Sequence, residues 1–275
     1  MKLRIRRVLQ VAWAFFLRDL KIEYSYKLGF VLQVFALFPP MFTFFFLSTA
    51  IEASSMPLLS SYGGDYFSFV LVGMALQSYM GLSLTSFSRR IRDAQLKGTL
   101  ELIFSTPISP SLFLFSSFLF DFALNSLRVF LIFASSAVLL DVSLCWEQVM
   151  ALALCYLLAM ASFTSIGIMS ASFVLIFKRG DPLAWLLGTS SSLFAGVYYP
   201  VAVLPSGLQW LAQALPSTHA IELMRQLLIN NASTAELWPQ LAALVGWTAI
   251  SMPCALAVFK RALRRAREDS SLAHY

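Results

Sequence analysis

Long uncharged apolar runs alternate with short polar segments along the chain. Five runs each supply the roughly 20 residues that a helix needs to cross the hydrocarbon core of a bilayer. Pro39 and Pro40 predict a kink or break inside the first run, and Asp121 and Arg128 interrupt the third. The pattern predicts transmembrane helices over Leu28–Ile51, Phe67–Phe87, Ser111–Leu140, Gln148–Phe177 and Leu237–Phe259.

A further apolar run, Pro182–Ile221, is about twice as long as one span. Its first part, LAWLLGTSSSLFAGVYYP, can cross once and end near Pro200. Pro205 and Pro216 divide the remainder, which predicts two short half-helices that dip into the outer leaflet as a re-entrant hairpin. A complete extra pair of spans is disfavoured because neither half reaches 18 residues without a proline.

The composition supports a membrane protein. Of the 275 residues, 59% are hydrophobic and only 12% are charged, whereas soluble domains carry about 25% charged residues. The three cysteines, Cys145, Cys155 and Cys254, have no CxxC or metal-ligand spacing and are interpreted as apolar filling residues. His219 and His274 are too few for a histidine-built metal or catalytic site. We therefore predict an all-α integral membrane protein with six transmembrane helices.

The basic residues orient these spans. With six spans and a cytoplasmic N-terminus, 18 of the 20 Lys and Arg residues fall in cytoplasmic segments, while the outer segments hold only Arg225 among six acidic residues. Both termini are then cytoplasmic, with a basic tail over 260–275 after the transmembrane domain, 28–259. The net charge of +6 is a topology signal and does not indicate nucleic acid.

Residues 1–27 predict an amphipathic helix in the cytoplasmic interface. It is either a simple membrane anchor or a mechanical element, and the pattern does not choose between them. The apolar face holds Ile5, Val8, Leu9, Ala12, Trp13, Phe16 and Leu20, and the polar face holds Arg7, Gln10, Arg18 and Lys21.

The cytoplasmic segment between spans two and three also has a helical pattern. Arg89, Asp93, Lys97 and Glu101 fall four apart and predict a charged ladder on one helix. Pro107 disfavours helix at the preceding residue and ends it. This helix is either a lever pushed from the cytoplasm or an interfacial helix without a partner. Its apolar stripe is Leu96, Leu100 and Ile103.

Two stretches of the sequence resemble the type-2 ATP-binding-cassette (ABC) transporter permeases. KGTLELIFSTPISP resembles their GTLE and TP signature between spans two and three. FAGVYYPVAVLPSGLQWLAQALPSTHAIELMRQLL, Phe194–Leu228, resembles their pattern of Gly, aromatics and Pro followed by LP, Pro-x-Thr-His and Arg. With the six spans and the interface helix, the resemblance covers nearly the whole chain.

The resemblance implies a membrane subunit that works in pairs, identical or related, on two nucleotide-binding subunits. ATP and Mg²⁺ are then used by a separate ATPase, in agreement with the absence of a GxxxxGK[ST] loop here. It also implies a bacterial plasma membrane. By position, the residues that couple to the ATPase would be Arg92, Gly98, Thr99, Glu101, Thr106 and Pro107.

The second motif implies an external gate formed by the re-entrant segment. Tyrosines at that depth are equally typical of an interfacial aromatic belt, and both interpretations stay open. The gate residues would be Tyr198, Tyr199, Pro200, Pro205 and Arg225.

Three polar residues share one face of span three. Asp121, Asn125 and Arg128 stand at i, i+4 and i+7, and ionisable residues inside a membrane mark a pathway, a partner or an internal pairing. They line the translocation route or subunit interface, or they form an internal network in which Arg128 pairs with Asp121 through Asn125.

The predicted function is export of an amphipathic small molecule, drug or lipid. Polysaccharide export is the alternative, because Arg18–Lys21, Tyr24 and Leu28-Gly29 resemble features of those exporters, which usually lack both motifs above. An intramembrane enzyme is disfavoured because HExxH and Gly-x-Gly-Asp motifs are absent. A passive channel or assembly scaffold is the third class, and no stretch resembles a selectivity filter.

Overall fold

The computed structural model of the chain describes residues 2–50, 59, 62, 65–98, 110–140, 149–177, 181–233 and 236–268. Within these ranges the regular structure is entirely helical. A 3₁₀ turn, Val201–Val203, lies among the α-helices. The helices are α1 (Lys2–Ser25), α2 (Lys27–Phe35), α3 (Phe38–Ala50), α4 (Tyr66–Leu96), α5 (Pro110–Leu139), α6 (Val149–Phe177), α7 (Pro182–Phe194), α8 (Ser206–Gln213), α9 (Pro216–Leu228) and α10 (Trp238–Glu268).

Five segments of the described chain are long and apolar enough to cross a membrane. They establish a multi-pass membrane protein of all-α class, as the hydropathy pattern predicts. The segments are Lys27–Ala50, Tyr66–Leu96, Phe118–Leu139, Val149–Phe177 and Trp238–Ala266.

The fifth predicted span is shorter as a helix than the sequence suggested. Asp181 caps α7 by accepting a hydrogen bond from the Ala184 amide at 3.0 Å, and Pro182 occupies the first turn. The helix ends at Phe194 instead of continuing toward Pro200. Its 13 residues span about 20 Å, less than the roughly 30 Å core of a bilayer. The six-span layout therefore stays a prediction.

Two short helices follow, and prolines set where each begins. Pro205 is the N-cap of α8, and Pro216 lies in the first turn of α9, where its missing N–H has no intrahelical partner to lose. Their re-entrant placement in a membrane stays a prediction.

Prolines also break the first span, as expected. Helix α2 ends at Phe35 and α3 begins at Phe38, with Pro39 and Pro40 in its first turn. The Thr43 hydroxyl donates to the Pro39 carbonyl at 2.8 Å, which satisfies one acceptor near the break. The first span is therefore two helical pieces.

The centre of the bundle is α6, which packs between α4 and α10. Serines and threonine connect α6 to α10: Ser162 lies 2.7 Å from Thr248, and Ser165 donates to Ser251 at 2.6 Å. Toward α4, a Cβ at Gly167 would collide with the backbone of Ser83. Small and hydroxylated residues at such contacts let membrane helices approach closely.

The N-terminal helix α1 packs along α5. Phe16 meets Phe120 edge-on with ring centroids 5.5 Å apart, and Ala12 and Asp19 are buried on the same side. Trp13, from the predicted apolar face, is instead exposed, as is Leu20. The predicted apolar face is therefore divided between the protein and the surroundings.

The predicted ladder from Arg89 to Glu101 on one loop helix is wrong. Helix α4 continues from span two through Arg89 and ends at Leu96. Gly98 then adopts φ +64°, the left-handed conformation that ends helices. Glu101 and Pro107 lie outside the described residues. At the other end of the chain, α10 continues past Phe259 to Glu268, so the basic residues 260–265 extend the last span as helix.

Candidate functional site

Arg225 on α9 forms a clamp that joins three backbone carbonyls from two parts of the chain. Its side chain is buried, with the residue only 2% exposed. Nε donates to the Phe69 carbonyl of α4 at 3.0 Å, and the two Nη atoms donate to Gly196 and Val197 at 2.7 and 2.8 Å. The guanidinium carbon lies 3.4 Å from the centroid of the Phe69 ring. The fork geometry of arginine suits such multiple contacts.

Two glycines make room for this clamp. A Cβ at Gly73 would lie 2.5 Å from the Val197 carbonyl oxygen and 2.6 Å from Nη2 of Arg225. Gly196 has φ +76°, which side chains rarely adopt. The backbone of segment 195–200 therefore lies directly against the backbone of α4, and Arg225 donates hydrogen bonds to both.

The tyrosines of the second motif lie beside the clamp. The ring of Tyr198 stacks on Phe44 of α3 with centroids 5.2 Å apart, and its carbonyl accepts a hydrogen bond from the Tyr66 hydroxyl at 3.1 Å. The Tyr199 hydroxyl donates to the Leu193 carbonyl at the end of α7. Tyr198 thus contacts span one and the start of span two.

The prolines of the motif order the turn between the clamp and α8. Pro200 is buried and lines a cavity between this segment, α9 and the start of α10. Pro205 is exposed, and its carbonyl accepts from the amides of Leu208 and Gln209 at 2.8 and 3.0 Å. The Gln209 side chain turns back to the Leu204 carbonyl at 2.7 Å. Four of the predicted gate residues, Tyr198, Tyr199, Pro200 and Pro205, therefore lie in one compact segment, and the fifth, Arg225, contacts that segment from α9.

A cavity of about 450 Å³ opens between the clamp segment, α9 and the start of α10. The Tyr62 hydroxyl donates to Glu222 at 2.9 Å in its wall, and His219 pairs with the Gln213 carbonyl at 2.9 Å. Burial, with the nearby Glu222 carboxylate second, raises the pKa of the Tyr62 phenol, so it stays protonated at neutral pH. The wall of this cavity therefore carries ionisable and hydrogen-bonding side chains.

A second polar group lies at the opposite end of α4. Arg90 Nη2 contacts Asp121 of α5 at 2.8 Å and Asp19 of α1 at 3.3 Å. Ser86 donates to Asp121 at 2.7 Å, and Arg18 pairs with Asp19 at 2.7 Å. Three helices are therefore held together by charge-assisted contacts.

The predicted pairing of Arg128 with Asp121 through Asn125 is wrong. Asp121 pairs with Arg90, while Asn125 donates weakly to the Ser78 hydroxyl at 3.4 Å. Arg128 instead donates to Gln33 of α2. Residues spaced along one helix face took partners on two different helices, α4 for Asp121 and Asn125 and α2 for Arg128.

Of the six predicted coupling residues, the structure describes two. Arg92 lies in the last turns of α4, and Gly98 follows its end. The neighbouring Leu96 is 62% exposed, so an apolar side chain is presented where the helix stops. Four of the coupling residues lie outside the described residues: Thr99, Glu101, Thr106 and Pro107.

A model of the family described as ABC-2 family transporter protein matches residues 45–257. The chain belongs to the ABC-2 transporter family. The matched region contains the clamp, α4 and all the segments between them. Comparison with curated proteins found no match to this chain.

Membership establishes this ABC-2 transporter as a membrane transport subunit of a generally non-catalytic kind, a class that works with an ABC ATPase. The described residues contain no group of three or more His, Cys, Asp or Glu side chains able to hold a metal ion. Cys155 and Cys254 are free thiols. The contacts of Arg225 and Arg90 hold helices and backbone segments in position.

Sequence reasoning missed several residues of the ABC-2 transporter's site. Phe69 and Val197 contribute backbone atoms, for which no residue type is a signal. Gly73 was the available clue, because a glycine inside a membrane helix marks a close approach of another backbone. Arg90 was counted only among the basic residues that orient the spans, although it lies within a helix of 31 residues. Asp19 was noted only within Arg18–Lys21, the stretch that resembles polysaccharide exporters.

Proposed function

We propose that this chain is the membrane-spanning permease subunit of an ATP-driven ABC exporter. Two such subunits, identical or related, form the pathway and join separate ATPase subunits that use ATP and Mg²⁺. The match to the ABC-2 family over residues 45–257 carries the proposal. The proposed location is a bacterial plasma membrane. The chain crosses it six times with both termini cytoplasmic, which the placement of basic residues supports.

The Arg225 clamp is the proposed external gate. The clamp holds segment 195–200 against the outer end of α4, and each of its three hydrogen bonds is made to a backbone carbonyl. Because the acceptors are main-chain carbonyls, segment 195–200 can shift past Arg225 without the rearrangement of a partner side chain. Tyr198 and Tyr199 act in this gate, since both bond to neighbouring helices through defined atoms.

Helix α4 is the proposed connection between gate and ATPase. Phe69 lies in its first turn, and Leu96 lies at its end. These 28 residues span about 41 Å as one helix. A push on the loop that follows Gly98 is thereby transmitted to the carbonyl that Arg225 holds. In this proposal the loop residues Thr99, Glu101, Thr106 and Pro107 contact the ATPase, with Arg92 and Gly98 at the base.

The proposed cargo is an amphipathic small molecule, drug or lipid. A cavity of about 310 Å³ between α4, α5, α6 and α9 supports this class. Its walls are apolar and aromatic, with Tyr79 and Tyr156 packed edge-on at 4.9 Å, and Met224 on the clamp helix closes one side. Pockets of this kind take apolar ligands with few polar groups.

The experiment is ATPase activity of the chain co-expressed with candidate nucleotide-binding subunits. Glu101→Lys should abolish stimulated ATPase activity and weaken co-purification, because it reverses the charge offered to the partner. Glu236→Lys is the matched control, since this exposed carboxylate belongs to the outer side of the proposed topology.

Equal activity of Glu101→Lys and wild type, with no ATPase co-purifying, would contradict the coupling. Flux that persists without ATP would instead favour a channel or scaffold. Vesicle transport of a lipid-linked glycan, with no transport of amphipathic dyes or lipids, would assign the cargo to the alternative class.

A further inference from the structure

A polar cavity of about 390 Å³ lies between α1, α2, α4 and α5. It is separate from the cavity beside the Arg225 clamp and from the apolar cavity between α4, α5, α6 and α9. Its lining includes apolar walls from Ile22, Leu82 and Leu124. Six charged side chains line it as well: Asp19, Glu23, Arg89, Arg90, Asp121 and Arg128.

Half of this charge is compensated within the protein. Arg90 contacts both Asp19 and Asp121, and Arg18 outside the cavity also pairs with Asp19. The positive charges of Arg90 and Arg18 thus offset the negative charges of Asp19 and Asp121. The charges left facing the cavity are the guanidinium groups of Arg128 and Arg89 and one carboxylate, Glu23.

Arg128 is only partly satisfied by the protein. One Nη donates to Gln33, whereas the buried Nε has no hydrogen-bond partner. A buried, unpaired donor on a charged group is costly, and a bound oxygen acceptor would remove that cost. Arg89 is exposed at the edge of the same cavity. The cavity therefore offers two guanidinium groups to an anion, with one carboxylate nearby.

We propose that this cavity binds the headgroup of a zwitterionic phospholipid that has a primary amine. Guanidinium groups bind phosphate through parallel N–H donors, which assigns the phosphate to Arg128 and Arg89. The carboxylate of Glu23 accepts hydrogen bonds from the ammonium group. The acyl chains leave along Ile22, Leu82 and Leu124 toward the surrounding lipid. This lipid is a resident ligand and not the transported cargo.

The volume and position fit this ligand. Small-molecule sites in proteins have about 300–1,000 Å³, and basic pockets between membrane helices on the cytoplasmic side bind lipid headgroups. The cavity lies beside Arg90, near the end of α4 that the charge pattern assigns to the cytoplasm. Charges of both signs distinguish it from a purely anionic-lipid site.

The test is native mass spectrometry of the full chain in detergent, alone and with its ATPase partner. Phosphatidylethanolamine, phosphatidylcholine and phosphatidylglycerol with identical acyl chains are added separately. Wild type should bind phosphatidylethanolamine best. Arg128→Gln should weaken binding of all three lipids about tenfold, the effect of losing one charge-assisted hydrogen bond. Glu23→Gln should retain binding but remove the preference for phosphatidylethanolamine.

Lys27→Gln is the matched control. Lys27 is an exposed cation one turn beyond Glu23, packed over the Tyr24 ring, and it does not line the cavity. Its lipid binding should equal that of wild type. If Arg128→Gln does not fold, Arg89→Gln replaces it, because Arg89 is exposed and its loss should still weaken lipid binding several-fold.

Equal lipid binding by Lys27→Gln, Arg128→Gln and Arg89→Gln would overturn the proposal. So would an unchanged lipid preference in Glu23→Gln. Glycerophosphoethanolamine, which has the headgroup without acyl chains, separates a lipid from a soluble phosphoethanolamine compound. Retention of phosphatidylethanolamine at millimolar glycerophosphoethanolamine is expected, because the acyl chains contribute to binding. Displacement by this soluble compound would assign the site to a soluble phosphoethanolamine and overturn the lipid proposal.

Discussion

Arg225 binds Phe69 twice, through its backbone and through its ring. Nε donates to the Phe69 carbonyl oxygen at 3.0 Å, and the guanidinium carbon lies 3.4 Å from the ring centroid. A residue of the clamp helix α9 is thereby fixed to the first turn of α4. Because α4 continues to Leu96, an event at the far end of that helix has a direct connection to the clamp.

Arg225→Gln should destabilise the folded protein and open the clamp. The substitution removes up to three charge-assisted hydrogen bonds and the contact with the Phe69 ring, and we expect a loss of about 3–5 kcal/mol in unfolding free energy. The thermal unfolding midpoint of the purified protein measures this loss. Arg264→Gln, on an exposed position of α10, should leave the midpoint unchanged. Equal midpoints for the two variants would show that the clamp is not a stabilising contact.

Gly73→Ala should separate segment 195–200 from α4. Its Cβ would lie 2.5 Å from the Val197 carbonyl oxygen, which is closer than side chains tolerate, so the segment must shift. Gly81→Ala on the same helix is the control, because nothing lies within 4 Å of its Cβ position. Alanine there should stabilise by up to about 1 kcal/mol.

The readout is accessibility of Val197→Cys to a water-soluble maleimide, introduced into wild type and both glycine variants. Labelling should be several-fold faster in the Gly73→Ala background than in the Gly81→Ala background. The close approach would be refuted as a constraint by equal labelling rates in both backgrounds.

Arg90→Leu should leave the carboxylates of Asp19 and Asp121 without their shared cation. The Arg90 and Asp121 side chains are partly exposed, so solvent screening reduces the cost to about 1–3 kcal/mol. Asp121→Leu should cost less when Arg90 is already Leu, because the pair then no longer exists. A double-mutant cycle on the unfolding midpoints measures the coupling. Lys97→Leu, at an exposed cation that follows the end of α4, controls for a general loss of charge, and strictly additive effects would argue against the contact.

Elements with local signals were predictable from the sequence. The apolar runs located the five long spans, and Pro39 and Pro40 located the break in the first one. Pro205 and Pro216 located the starts of α8 and α9. In each case the decisive physics acts within a few residues of the chain: burial of apolar side chains in lipid and the missing N–H of proline.

Partners distant in sequence were not predictable in the same way. The spacing of Asp121 and Arg128 placed them on one helix face, but their partners Arg90 and Gln33 come from other helices. The ladder that begins at Arg89 had correct helical spacing, yet Gly98 ended the helix before Glu101. The spacing of charged residues does not show that Gly98 adopts the left-handed conformation, which ends the helix.

The Arg225 clamp shows the same limit from the other side. Arg225 stood out as the one basic residue among the predicted outer segments, which singled it out correctly. Its partners are main-chain carbonyls, and every residue has one. Only the glycines at 73 and 196 hinted that two backbones meet there.

The contact at Gly167 determines which parts of the bundle move together. With no side chain at this position, the backbones of α6 and α4 touch near Ser83, and the paired hydroxyls of Ser162 and Thr248 fasten α10 to the other side of α6. Helices α4, α6 and α10 are thus joined by contacts that leave no space for an added side chain or a free hydroxyl. The first span meets α4 through aromatic rings instead, as between Phe45 and Phe67, so we expect any displacement within the bundle to begin at the first span.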